Sequence, residues 1–124
     1  MKIKIQYHAQ PEYLQVKMRG KWNETYINMA LDEIKAEADR QGFKRLLVDL
    51  LEMSRPNSEM ARFLAGEHLA KIMPYPYKVT AFAKSEDINK FGETVAVNRG
   101  AWFRVFSDEQ TAIEWIMEGV QQPP

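Results

Sequence analysis

Residues 45–51 read Arg-Leu-Leu-Val-Asp-Leu-Leu and do not alternate between apolar and polar. A continuous apolar run of strand length belongs to a strand covered on both faces, and such strands occupy the middle of sheets that carry helices on either side. An all-helical bundle and a one-layer sheet are thereby excluded. The N-terminal segments have the complementary pattern. Over residues 2–8, Ile3, Ile5 and Tyr7 face one way and Lys2, Lys4, Gln6 and His8 the other; over residues 13–19, Leu14, Val16 and Met18 oppose Gln15, Lys17 and Arg19. Two alternating runs around the short turn at Ala9–Glu12 predict an antiparallel hairpin with one wet face.

Helical segments follow in alternation with strands. Asn23 is placed to cap a helix over 24–41 that Gly42 stops. Its apolar stripe is Ile27, Leu31, Ile34 and Ala38, with Ala30 beside it. The loop after the central strand leads to a helix from Ser58 to Ile72, which Pro74 and Pro76 prevent from continuing. Residues 77–83 form the next strand. Ser85 is placed to cap a helix over 86–98, with Ile88, Phe91 and Val95 inward, and Gly100 ends it. Residues 102–106 form the last strand. Ser107-Asp-Glu-Gln110 reads as a capping box. The helix it opens runs to Glu118, with Ile113, Ile116, Met117 and Val120 on its buried side and Trp115 half exposed. Gln121–Pro124 are expected to fray. The order β-β-α-β-α-β-α-β-α predicts one α/β domain over 1–124, with a mixed, mostly parallel sheet of about five strands and an N-terminal antiparallel hairpin.

Composition narrows the function. Seventeen Lys and Arg match 17 Asp and Glu, so the chain lacks the basic surplus of a nucleic-acid binder. It has no cysteine and two widely separated histidines, which leaves no metal site or cofactor to expect. No apolar run reaches the roughly 18 residues of a membrane span. The opening Met-Lys-Ile-Lys-Ile-Gln is too polar for a secretory signal, so the expected location is the cytoplasm. No nucleophile elbow, phosphate-cradling loop or dinucleotide fingerprint occurs, and the expectation is a protein that is not an enzyme.

Candidate binding residues gather around the second helix. Open α/β sheets hold ligands at the carboxyl ends of their strands, which places Asp49, Ser54, Arg55, Asn57 and Ser58 at such a site. Lys84, Ser85 and Lys90 follow the next strand and, with Arg55, form a small cationic set at the same edge. On the second helix, Ala61, Leu64, Ala65, Leu69 and Ile72 form the stripe expected to face the sheet. Met60 and Phe63 lie off that stripe, with Met53, Met73, Tyr75 and Tyr77 in the flanking segments. Surplus apolar residues of this kind suit an interface or the lining of a ligand groove. His68 lies beside the stripe with no carboxylate or second histidine expected to partner it, and reads as a packed or capping histidine rather than a catalytic base.

The element order, the stretch Arg45–Leu51 and the run Arg99-Gly-Ala-Trp-Phe-Arg-Val-Phe-Ser-Asp-Glu109, leading into Ala112-Ile-Glu-Trp-Ile116, resemble the SpoIIAA-like superfamily that contains the STAS domains, and in particular the bacterial STAS/SEC14-like group. The resemblance covers residues 3–118. It implies a SpoIIAA-like fold and a regulatory, protein-binding role. Regulatory STAS proteins carry a phosphorylatable Asp-Ser-Ser-Gly motif at the start of the second helix. Laid ungapped from Asp49, that motif falls on Asn57-Ser58-Glu59-Met60. Ser58 is then the implied phosphorylation site, with Ser54 second, and Glu59 places a permanent negative charge where the phosphate would sit. The resulting expectation is a non-enzymatic cytosolic regulatory domain that docks a protein partner, or a second copy of itself as a homodimer, through Met60, Phe63, Met53, Met73 and Tyr75. The alternative is a carrier or sensor of a small apolar, lipid-like ligand.

Overall fold

The structure is a computed structural model that describes residues 3–120. Lys2 and the segment 121–124 expected to fray lie outside the described residues. Five strands, β1 (Lys4–Ala9), β2 (Leu14–Gly20), β3 (Arg45–Met53), β4 (Lys78–Phe82) and β5 (Trp102–Phe106), form one sheet in chain order. β1 and β2 are antiparallel, and the remaining neighbours are parallel. The helices are α1 (Glu24–Gln41), α2 (Glu59–Ile72), α3 (Phe91–Asn98) and α4 (Glu109–Met117). The apolar run is the middle strand, as its lack of alternation requires.

Strand order equal to chain order means that every parallel crossover steps in the same direction. Crossovers are right-handed, so α1, α2 and α3 all come to lie on one face of the sheet. No strand follows α4, and it folds back over the other face against β3, β4 and β5. Leu46 and Val48 pack with Ile27, Ile34 and Leu69 under the three helices, whereas Leu47 packs with Phe82 and Ala112 under α4. The outer face of β1 and β2 has no helix over it and keeps its polar residues.

Most helix ends form as their residues dictate. Asn23 Oδ1 accepts from the Tyr26 N–H at 3.0 Å, Gly42 ends α1 at φ 81°, and Ser58 Oγ accepts from the Ala61 N–H at 3.0 Å. Three expectations are corrected. The helix expected from residue 86 is a short 3-10 turn at Ser85–Asp87 followed by α3 from Phe91, and Ser85 makes no capping bond. Lys90 sits in the left-handed region at φ 64° and Asn89 Oδ1 accepts from the Phe91 N–H, which restarts the helix register. Val95 and Ala96 point inward, while Phe91 is 37% exposed. The cap of α4 is Asp108 rather than Ser107: its carboxylate accepts from both the N–H and the hydroxyl of Thr111. A carboxylate at the positive end of a helix is favoured over a neutral hydroxyl. The buried side of α4 is accordingly Ala112, Trp115 and Ile116, and Trp115 is only 8% exposed. On α2 the buried residues are Ala61, Gly66, Leu69 and Ala70, because α1 and α3 flank the helix as well as the sheet beneath it.

Trp115 is buried because α4 is clamped at its carboxyl end. Lys78, 1% exposed, donates from Nζ to the carbonyl oxygens of Trp115 (2.6 Å) and Glu118 (3.1 Å). The same ammonium lies 4.8 Å from the Trp102 ring and 4.6 Å from the Trp115 ring. Arg45 Nη1 donates to the Ile116 and Glu118 carbonyls at 2.7 and 2.9 Å. Two cations thus satisfy the orphan carbonyls of the last turn and complement its dipole. Burial, and then the neighbouring Arg45, lower the Lys78 pKa from its ordinary value.

α2 and α3 approach at two glycines. A Cβ on Gly66 would lie 2.5 Å from the Gly92 carbonyl oxygen, and one on Gly92 would lie 3.3 Å from the Arg62 carbonyl oxygen. Because the obstacle is backbone, Gly66→Val must push the helices apart. Overpacking of this kind costs about 1–3 kcal/mol, and valine regains little helix propensity to offset it. Thermal unfolding of Gly66→Val is expected to show a clear loss of stability; an unchanged midpoint refutes the close approach.

Candidate functional site

The carboxyl ends of β3 and β4 deliver the segments 54–58 and 84–90 to the same edge of the three-helix face. Beneath them, between sheet and helices, lies a cavity of about 160 Å³. Its floor is Val48 and Leu50 of β3, Val79 and Ala81 of β4, and Phe103 and Val105 of β5. Ile27 and Leu31 of α1 and Ala65 and Leu69 of α2 close it from above. The space exists because small residues meet across it. Ala65 of α2 and Ala81 and Ala83 at β4 leave unfilled the volume that larger side chains occupy elsewhere in the core, while Gly66 and Gly92 let α2 and α3 meet closely beside it. The mouth is formed by Ser54, Arg55 and Pro56 on one side and by Asp87, Asn89 and Lys90 on the other.

Several residues expected at a site are there. Met53 and Met73 line the cavity, Met53 towards the carboxyl end of the sheet and Met73 past the last turn of α2. Both are buried, so they belong to the cavity wall and not to an outer apolar surface. Ser54 Oγ accepts from the Trp22 backbone N–H at 2.8 Å, which ties the exit of β3 to the segment before α1. Arg55 lies at the mouth, is exposed, and makes no ion pair among the described residues. Lys90 also lines the mouth, with Nζ donating to the Val105 carbonyl at 2.9 Å and 3.6 Å from the Glu93 carboxylate.

Others are placed differently. Asp49 does not lie at the strand end, because β3 continues to Met53 and pairs Gly20 there. Val48 and Leu50 face the cavity, so Asp49 points to the opposite face, where its Oδ1 accepts from the Leu51 N–H at 2.9 Å. Lys84 and Ser85 are exposed and line no part of the cavity, so the cationic set reduces to Arg55 and Lys90. Asn57 is exposed outside the mouth. Glu59 accepts from Asn89 Nδ2 at 2.6 Å and lies 3.7 Å from the Arg62 guanidinium, which joins the start of α2 to the segment before α3. Met60 is 61% exposed, and Phe63 is half-buried under the Arg99 guanidinium, 5.0 Å from its ring centre.

Tyr75 is 68% exposed and stacks at 5.3 Å on Trp102, at the amino end of β4. α2 runs 14 residues between Met60 and this end, about 20 Å at the usual helical rise. Met60 and Tyr75 therefore cannot form one apolar patch, and the continuous surface expected of Met53, Met60, Phe63, Met73 and Tyr75 is not present. Tyr77 is buried, its hydroxyl donating to Asp39 at 2.6 Å. His68 does have a carboxylate partner: its Nε2 lies 2.7 Å from Asp32 Oδ1, a contact between α2 and α1 that sequence distance conceals.

Sequence reasoning missed Trp22, Arg62 and Asn89 as cavity residues. It also missed the two glycines that set the roof. The available signal was the set of small residues at 65, 66, 81, 83 and 92, which is readable only once the topology brings them together.

Neither a protein-family model nor a curated protein sequence matches the chain. Solved structures do resemble it. An anti-sigma factor antagonist from Mycobacterium paratuberculosis superposes with a TM-score of 0.66 at 10% identity, over 94% of this chain and 95% of that one. An uncharacterized protein with a SpoIIAA-like fold from Shewanella loihica superposes with a TM-score of 0.56 at 17% identity, over 93% of this chain and 94% of that one. The five-stranded mixed sheet with its antiparallel first pair, covered by three helices and one, has the SpoIIAA-like fold.

Proposed function

We propose that this chain is a non-enzymatic regulatory domain of STAS type that takes a small apolar ligand. The cavity of about 160 Å³ carries that reading. Apolar cavities of this size stay dry and accept small hydrocarbons, and its floor and roof are aliphatic and aromatic. The hydroxyls closest to it support the non-catalytic part: Ser54 and Ser58 both accept structural backbone hydrogen bonds. The location proposed is the cytoplasm.

Toluene titrated into the protein is expected to shift the methyl NMR signals of Met53 and Met73 saturably and to leave that of Met60 in place. Ala65→Leu is expected to fill the space. It should raise stability by about 1 kcal/mol and abolish the toluene shifts. Toluene shifts that persist in that variant remove the cavity as the site.

A protein partner is the second reading. One of the superposed structures is an anti-sigma factor antagonist, and Met60 stands exposed at the start of α2 beside Ser58. Self-association as a homodimer would use Met60 and the edge of Phe63. Sedimentation is expected to show Met60→Asp more monomeric than the parent, and an unchanged distribution takes α2 out of any interface. Phosphorylation is proposed at Ser58, where about −1.5 to −2 charges would meet the first amides of α2 beside Glu59. Peptide mapping after incubation with bacterial lysate and ATP is expected to find phosphate on Ser58. Modification of Ser54 alone, or of neither, refutes it.

A further inference from the structure

The cavity mouth is not neutral in its chemistry. Among the charged side chains lining the cavity, Arg55, Arg62 and Lys90 are cations and Asp87 and Glu93 are carboxylates, three against two. Lys90 lies 3.6 Å from Glu93, whose Oε1 also accepts from the Val105 N–H at 2.6 Å. Arg62 lies 3.7 Å from the Glu59 carboxylate and donates to the Asp87 backbone carbonyl oxygen at 3.2 Å. Among the described residues this leaves the Arg55 guanidinium on one side of the mouth and the Asp87 carboxylate on the other outside any ion pair.

On the Arg55 side of the mouth the neighbouring residues add donor capacity, whereas Asp87 stands on the opposite side. Trp22 lines the cavity, and its indole Nε1–H is buried without a hydrogen-bond partner among the described residues. Ser54, the residue before Arg55, spends its oxygen on the Trp22 backbone N–H and keeps its own O–H to give. A guanidinium and a hydroxyl hydrogen at the mouth, with an unpartnered indole N–H on a lining residue, match a group that only accepts hydrogen bonds. A carboxylate is such a group, and arginine binds it with particular geometric fit. A buried donor left unmade is costly, so an occupant that accepts from Trp22 removes a penalty the empty cavity carries.

We infer that the occupant is a single-chain carboxylate whose hydrocarbon tail lies between sheet and helices and whose head meets Arg55 and Trp22 at the mouth. This rests on the cavity being a ligand site. A cavity of this size accommodates a benzene ring, which corresponds to on the order of six to eight tail carbons.

The test compares three molecules of equal tail length, octanoate, octanol and octylammonium, titrated at pH 7.5 while the Met53 and Met73 methyl signals are followed. That pH is about three units above an aliphatic carboxylic acid's pKa, so octanoate is ionised. Octanoate is expected to bind about 10-fold or more tightly than octanol, as a charge-assisted hydrogen bond implies. Arg55→Gln is expected to erase that preference while leaving octanol affinity unchanged. Arg55→Lys is expected to keep part of it. Equal binding of octanoate and octanol by the parent protein overturns the head-group assignment and leaves the apolar cavity standing. Tighter octylammonium binding overturns it in favour of Asp87. Failure of all three to bind overturns the ligand reading itself.

Discussion

Right-handed crossover is the constraint from which the rest of this molecule follows. With strands laid down in chain order, each βαβ step moves the same way, and the handedness of the connection admits one face for α1, α2 and α3. The strands in the middle must still be covered on the other side, because Leu46 and Leu47 are adjacent, fully buried and opposed. Only α4 is free to supply that cover. The two faces therefore solve different problems. One helix seals the centre of its face tightly, whereas three helices have to share the other, and the space between them is where the cavity forms.

The single-helix face depends on an unusual clamp. Lys78, the buried first residue of β4, must lose its hydration. Here two backbone carbonyls and two indole faces replace the water, and Arg45 takes up the remaining carbonyls of the last turn. The lowered pKa of Lys78 records that the exchange is incomplete. The opposite face has no such anchor. Its helices meet through the Gly66–Gly92 approach and through two polar ties, Glu59 with Asn89 at the start of α2 and His68 with Asp32 within the bodies of α2 and α1. α2 is thus held by close contact with α3 and by exposed bonds, which are individually weak.

The alternation of β1 and β2, the unbroken run of β3 and the caps at Asn23, Gly42 and Ser58 were legible in the sequence, because each is a local pattern with a local cause. The start of α3 was not. Ser85 offers a cap in the right register, but the left-handed Lys90 and the turn closed by Asn89 move the helix to Phe91. The cap of α4 was misread by one residue, since Asp108 out-competes Ser107, and its face was misread because the clamp on its last turn by Lys78 and Arg45, invisible in the sequence, holds Trp115 inward. Met53 and Met73 looked like surplus apolar surface since helical periodicity has no place for them. They are buried because the cavity extends the apolar region past both ends of α2. A void is the least legible feature of all: it is made of what is missing at positions 65, 81 and 83, and α2 and β4 are neighbours only in three dimensions.

That void has an energetic meaning. Apolar space left without partner atoms destabilises a core. Domains of this size hold only about 5–15 kcal/mol of net stability. Filling the space returns a large part of what its formation removes, so occupancy and folding are linked, and any ligand that fits stabilises the native state by mass action. The same helix that roofs the cavity with Ala65 and Leu69 presents Ser58 and Met60 at its outer end. A filled cavity supports α2 from below, and an empty one leaves it to the glycine contact and the exposed ties. The two readings of function are therefore not rivals in physical terms. On the proposed reading, an apolar occupant would support α2 from below and with it the outer end that presents Ser58 and Met60, without a strand or a crossover having to move.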